Sequence, residues 1–173
     1  MNRLPVATWN PLGVNYAPAS AALPTVPADG WAKAENLFPA LPAGVTAPAE
    51  ADFGDFAASG MGAETDTWLA ENANLVNHLA VSGTAGAPIV FENTLDAAHP
   101  HALTYLTIDA AEGSSLTVVQ VVRGDAENGV SASLTRIRAA ENAHVTLVQV
   151  QLLGNRARRW NAVAIEQGKS ARV

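Results

Sequence analysis

The chain has 173 residues, a net charge of −6, ten Lys and Arg residues and no cysteine. That composition excludes a disulfide framework and a thiolate metal site, and the dispersed charge argues against a nucleic-acid-binding face. No run approaches the ~18 apolar residues of a membrane span, and residues 1–10 lack a signal-peptide core, so a cytoplasmic protein with no membrane contact is expected.

Two compositional halves follow one another. Nine of the ten prolines lie before residue 89. Proline fixes φ, lacks a donor and ends helices, so residues 1–65 are expected to form an extended region with short helices. Asp29 is a candidate N-cap for one short helix over 27–33, and Phe53 to Phe56 for a turn. Between 63 and 80, Trp68, Leu69, Leu75, Val76 and Leu79 fall near helical spacing behind Thr65 or Asp66 as a cap. This reads as a helix, or a helix turning into extended chain. From Pro88 onward the grammar changes to short β-branched runs at 89–92, 103–108, 116–123, 131–138, 145–153 and 160–165. Gly, Asn, Asp and Ala-Glu steps separate them, as expected between strands.

These runs repeat. Residues 103–121 and 132–150 align without a gap at an offset of 29, with identities at Ile108/Ile137, Ala110/Ala139, Ala111/Ala140, Glu112/Glu141, Thr117/Thr146, Val119/Val148, Gln120/Gln149 and Val121/Val150. A third copy, 165–173, follows 137–145 at an offset of 28. A meander has no reason to keep its corner sequence at constant spacing, whereas a parallel β-helix stacks equivalent corners on each other. The expected fold is therefore mainly β, a parallel β-helix with coils of about 29 residues over 66–173, entered from the Pro-rich, partly helical region. Both alternating sets, Thr117/Val119/Val121 and Leu116/Val118/Val122, are mostly apolar, so periodicity leaves the inner face open. Strands buried on both sides read this way, as would strands with one face covered by the N-terminal half. The third copy breaks off at Val173, which reads as a solenoid interrupted in mid-coil. A bare end of that kind would be expected to self-associate, most simply as a homodimer. The opposite end is expected to be covered by Trp9, Trp31, Leu37, Phe38, Phe53 and Phe56.

The phrase Leu4-Pro-Val-Ala-Thr-Trp-Asn-Pro-Leu-Gly-Val-Asn15, together with Ala111-Glu-Gly-Ser-Ser-Leu-Thr-Val-Val119 and Ala140-Glu-Asn-Ala-His-Val-Thr-Leu-Val148, resembles the Suf-system iron–sulfur cluster assembly scaffolds (SufB/SufD), and the SufD-like members in particular. The resemblance implies a right-handed β-helix after a variable N-terminal region, then a C-terminal helical domain that meets the SufC ATPase. It also implies SufB-like and SufC-like partners for the full-length parent. In that family the subunit pairing and the Cys and His residues proposed for cluster handling lie late in the β-helix, so the resemblance transfers no catalytic, cofactor-binding or metal position to this sequence. A non-catalytic scaffold that holds no cofactor of its own is what the resemblance implies.

Local features are weighed against that reading. His99-Pro-His101, with Glu92, Asp96 and Asp109 nearby in sequence, is the most metal-like feature, but a bound metal usually needs three or four ligands, and a polar turn is the simpler reading. His78 and His144 are single histidines. Gly83-Thr-Ala-Gly86 lacks the context of a dinucleotide or phosphate loop, and Ser114-Ser115 has no nucleophile frame. Asp109 and Glu112 resemble the paired carboxylates of a carbohydrate-cleaving β-helix. The repeat, however, replaces Asp109 with Arg138 and keeps only Glu112/Glu141, which suits an acid that answers corner backbone donors. Arg156, Arg158 and Arg159 form a small basic patch, solvated by default. The competing function is thus a β-helix carbohydrate-active enzyme, against which the scarcity of aromatic platforms (Phe91, Tyr105, Trp160) counts.

Overall fold

The computed structural model describes residues 28–36, 40–53, 56, 59 and 62–173, with the side chains of 33–36 left aside. The opening Leu4–Asn15 phrase lies outside these residues, as do Trp9, Leu37 and Phe38. The described elements are strands β1 (Lys33–Asn36) and β2 (Val45–Thr46), helix α1 (Ala63–Asn72), and strands β3 (Leu75–Val81), β4 (Ile89–Leu95), β5 (His101–Ala110), β6 (Ser115–Gly124), β7 (Val130–Ala139), β8 (His144–Leu153) and β9 (Arg158–Gln167). Each run expected to be extended from residue 89 onward lies within one of these strands.

Successive strands alternate between two sheets. The first sheet has the order β2-β3-β5-β7-β9 and the second β1-β4-β6-β8. Parallel strands need a long crossover, and here the crossover is the strand that each coil contributes to the opposite sheet. Every pair from β3 onward is parallel. The register is that of the repeat: Ile108 faces Ile137, Ala110 faces Ala139 and Gln120 faces Gln149. Ile137 then faces Ile165, the 28-residue step of the third copy. The molecule is a β-solenoid of stacked parallel coils about 29 residues long.

Tight turns make the corners. Ser114 N–H donates to Ala111 O, Ala143 N–H to Ala140 O and Ala171 N–H to Gly168 O. The third residue of each turn has positive φ: Gly113 at 66°, Asn142 at 58° and Ser170 at 58°. A type II turn needs that conformation. Coils are stitched at the corners by Gly113 N–H to Glu141 O and Asn142 N–H to Lys169 O. The corner is thus closed by backbone groups, and the Glu141 carboxylate meets Lys169 Nζ at 3.6 Å instead of backbone donors. The opposite corners are also closed by turn bonds, Gly129 N–H to Ala126 O, with Asn128 at a φ of 58°, and Ala157 N–H to Gly154 O.

The inner face, left open by periodicity, is decided here. Leu116, Val118 and Val122 point between the sheets and are buried, next to Leu79, Ile108, Ile137 and Val145. Thr117, Val119 and Val121 lie on the outer face of the second sheet. The outer face of the first sheet is covered as well: Leu103, Tyr105, Ala132, Leu134 and Ala162 pack against Leu69 of α1, with Trp31, Trp68 and Trp160 around them.

Three local expectations are corrected. The segment around Asp29 forms no helix; Trp31 bridges to His101 and the chain runs into β1, because pairing with β4 satisfies its backbone. Helix α1 starts after Gly62, with no side-chain cap. Asp66 lies inside it, buried, and accepts bonds from Ser59 N–H (2.6 Å) and Ser59 Oγ (2.5 Å), tying the approach segment to the helix. The first coil is closed by antiparallel pairing of β1 with β4 and β2 with β3, which protects sheet edges. Trp31, Phe53 and Phe56 instead pack on the outer face of the first sheet. The Phe53 turn is present, with Phe56 N–H donating to Phe53 O.

Candidate functional site

Between the sheets, apolar side chains fill the two ends of each coil and polar ones the middle. At one end lies the cluster around Ile108, Val118 and Ile137, and at the other Leu95, Ala102, Val122 and Ala126. The space between them is a cavity of about 280 Å³ that draws on every coil: Asn77 and Asn93 from the first, Thr104 and Gln120 from the second, Ser131 and Ser133 from the third and Arg159 from the last. Stacking turns these positions into ladders, since Thr104 is in register with Ser133 and Ser133 with Asn161.

The ladder residues bond to each other. Gln149 Nε2 donates to Gln120 Oε1 at 2.8 Å and to Asn161 Oδ1 at 3.0 Å, and Asn161 Nδ2 returns a bond to Gln149 Oε1 at 2.7 Å. Ser133 Oγ donates to Asn161 Oδ1 at 2.5 Å and Thr135 Oγ1 to Gln120 Oε1 at 3.3 Å. A connected network of this kind fixes the strand register more sharply than apolar packing alone. Arg159 Nη1 donates to Ser131 Oγ at 3.3 Å, and burial pushes the guanidinium below its ordinary value. The polar positions are spread through strands that otherwise read as apolar, so sequence reasoning passed over them. The signal that would have found them was present in Gln120/Gln149, one of the repeat's identities.

The residues singled out from the sequence are dispersed. Asp96 Oδ1 accepts bonds from the backbone of Ala98 and His99 and from His99 Nδ1 at 2.9 Å, closing a polar corner. The His99 hydrogen bond, more than any other contact, holds the Asp96 carboxyl below its usual range. His101 begins β5, with its backbone bonded to Gly30 and Ala32. Glu92 pairs with Arg123. Among the described residues no group of three or more His, Cys, Asp or Glu side chains is gathered to hold a metal. His78 Nδ1 meets Thr107 Oγ1 at 2.7 Å, edge-on to Tyr105, and burial lowers its pKa while Glu50 partly opposes. His144 opens β8, exposed.

Ser114 Oγ donates to Ala111 O within its corner, and Gly83-Thr-Ala-Gly86 is the corner before β4, bonded to Ser115. Asp109 stands on the outer face of the first sheet, beside a cavity of about 390 Å³ shared with Glu50, Asp52 and Arg138, while Glu112 sits exposed on a corner turn. Arg156, Arg158 and Arg159 do not form one patch: Arg156 pairs with Glu127 at 3.1 Å, Arg158 is exposed and Arg159 lines the interior.

Fold and interior together define a two-sheet parallel β-solenoid with a polar lumen. The family model described as "SUF system FeS cluster assembly, SufBD core domain" matches residues 93–173, from the middle of β4 onward. The matched segment, a little under half of the chain, is similar to that core domain of iron–sulfur cluster assembly. No curated protein and no solved structure matches the chain. Among the described residues no helix is long and apolar enough to cross a membrane.

Proposed function

We propose that the chain acts as a non-catalytic, SufD-like scaffold in iron–sulfur cluster assembly, working in the cytoplasm within a complex that contains a SufB-like protein and a SufC-like ABC-type ATPase. The observation that carries this reading is the unbroken register of the coils across the segment matched by the SufBD core. Such a stack offers long surfaces on which other proteins can dock. Its part is to position partners, with the cluster as cargo. The sequence contains no cysteine, so this chain supplies no thiolate for a cluster.

The test is co-expression with the SufB-like and SufC-like proteins of the same genome, followed by affinity capture and size exclusion. A complex containing all three is expected. Absence of both partners from the captured material, or hydrolysis of acidic polysaccharides by the purified chain, would overturn the reading. Anaerobic reconstitution of the chain alone is expected to leave no charge-transfer absorption after desalting.

A further inference from the structure

Arg159 brings to the lumen a charge that no carboxylate among the described residues balances. Arg159 lines both the 280 Å³ cavity and a neighbouring one formed with Gln149, Gln151 and Asn161. Among the described residues its hydrogen bond goes to Ser131 Oγ, a neutral group, and no carboxylate pairs with it. Glu92 also borders the cavity, but its carboxylate is engaged by Arg123 and Thr94. Arg159 is half-buried, and withdrawing part of a guanidinium from water without a counter-charge is unfavourable, so this position gains from an anion.

The donor pattern agrees. Arg159 has further N–H groups in a planar fork suited to oxyanions. Ser131 Oγ accepts from Arg159, which leaves its own proton to donate. Gln120, which also lines the cavity, uses its Oε1 to accept from Gln149 and Thr135. The amide oxygens of Gln120, Gln149 and Asn161, nearest Arg159 in the ladder, are engaged with one another, and the Arg159 charge itself disfavours a cation beside it. The cavity greatly exceeds the ~10–15 Å³ that one water needs, which leaves room for a polyatomic ion.

We propose that the lumen is a binding site for a small inorganic oxyanion of the phosphate or sulfate type, held by the Arg159 guanidinium and the Ser131 hydroxyl. This site is independent of the partner proteins. Isothermal titration of the full chain with inorganic phosphate, at ionic strength held constant with sodium chloride, tests it. Saturable binding of one phosphate per chain is expected, weakened about tenfold or more by Arg159→Gln and less by Ser131→Ala. Arg156→Gln, on a corner and paired with Glu127, is expected to leave the affinity unchanged. Phosphate also stabilises proteins by exclusion from their surface, and that part is neither saturable nor dependent on Arg159. Absence of saturable binding by the unmodified chain at tens of millimolar phosphate overturns the proposal, as does equal binding by a folded Arg159→Gln chain. Should Arg159→Gln fail to fold, the comparison of the unmodified chain with Ser131→Ala decides: equal affinities count against the site.

Discussion

The two sheets come from one repeat yet occupy different environments. The first is a filled sandwich: its inner face meets the second sheet, and its outer face is covered by α1 and by Phe53 and Phe56. The second sheet has the same inner burial, but on its outer face Val148 and Leu152 remain 39% and 60% exposed. Both outer faces carry apolar side chains, so composition does not separate them. The repeat specifies the ladder and the core between the sheets, and a non-repeating segment decides which outer face becomes a second core.

The largest expected effect tests that contrast directly. Leu134 is fully buried beneath α1, and Leu134→Ala is expected to cost about 2–5 kcal/mol. Val148→Ala, on the open face, is expected to stay within about 0.5 kcal/mol. Urea unfolding of both variants provides the measure, and equal losses would mean that the second sheet is covered too. Next comes Asp66→Asn, which weakens the two bonds from Ser59 and is expected to cost about 1–3 kcal/mol. Hydrogen exchange should then quicken in α1 while β8 stays unchanged.

A smaller effect is expected at Arg136. Its Nη1 donates to Phe53 O at 3.1 Å and Tyr105 Oη at 3.3 Å, and the guanidinium lies 5.9 Å from the Phe56 ring centre. Arg136→Gln is expected to cost about 1–2 kcal/mol, offset in part because its buried Nε has no partner. Limited proteolysis near residue 53 should quicken in the variant, and an unchanged rate would show that the aromatic strap is held by packing alone.

The smallest effect is the pH dependence at His78. Burial lowers its pKa below the ordinary 6.5, so the unfolded chain takes up the proton first. The neutral side chain's contribution is complete above pH 6.5 and declines as pH falls from there toward the folded value. The melting-temperature difference between the unmodified chain and His78→Gln should therefore shift in favour of the unmodified chain as pH rises through that window. A flat difference would mean that His78 is effectively solvated.

Much of the solenoid was legible because parallel strands stacked in register put equivalent residues in equivalent surroundings. Ile108, Ile137 and Ile165 repeat because they occupy one ladder. The corner residues Gly113, Asn142 and Ser170 repeat in position because each turn needs positive φ there. The N-terminal elements were less legible for the converse reason. Trp31 and β1 take their conformation from strands far along the chain, at His101 and over 91–94, and a local cap at Asp29 does not compete with that pairing.

The sequence by itself determined the coil length, the parallel stacking and the position of the corners, since all three follow from periodicity. Only the tertiary structure decided what lies on either side of each strand. Alternation assigns side chains to two faces but does not say what covers them. Gln120, Gln149, Asn161 and Arg159 are polar residues that read as surface in the linear sequence, and the stacking of the two sheets turns them toward one polar lumen, half-buried at Gln120, Gln149 and Arg159 and open to solvent at Asn161. Leu134 and Val148 are comparable apolar residues on outer faces, and the path of α1 across the first sheet buries Leu134 fully while Val148 stays 39% exposed.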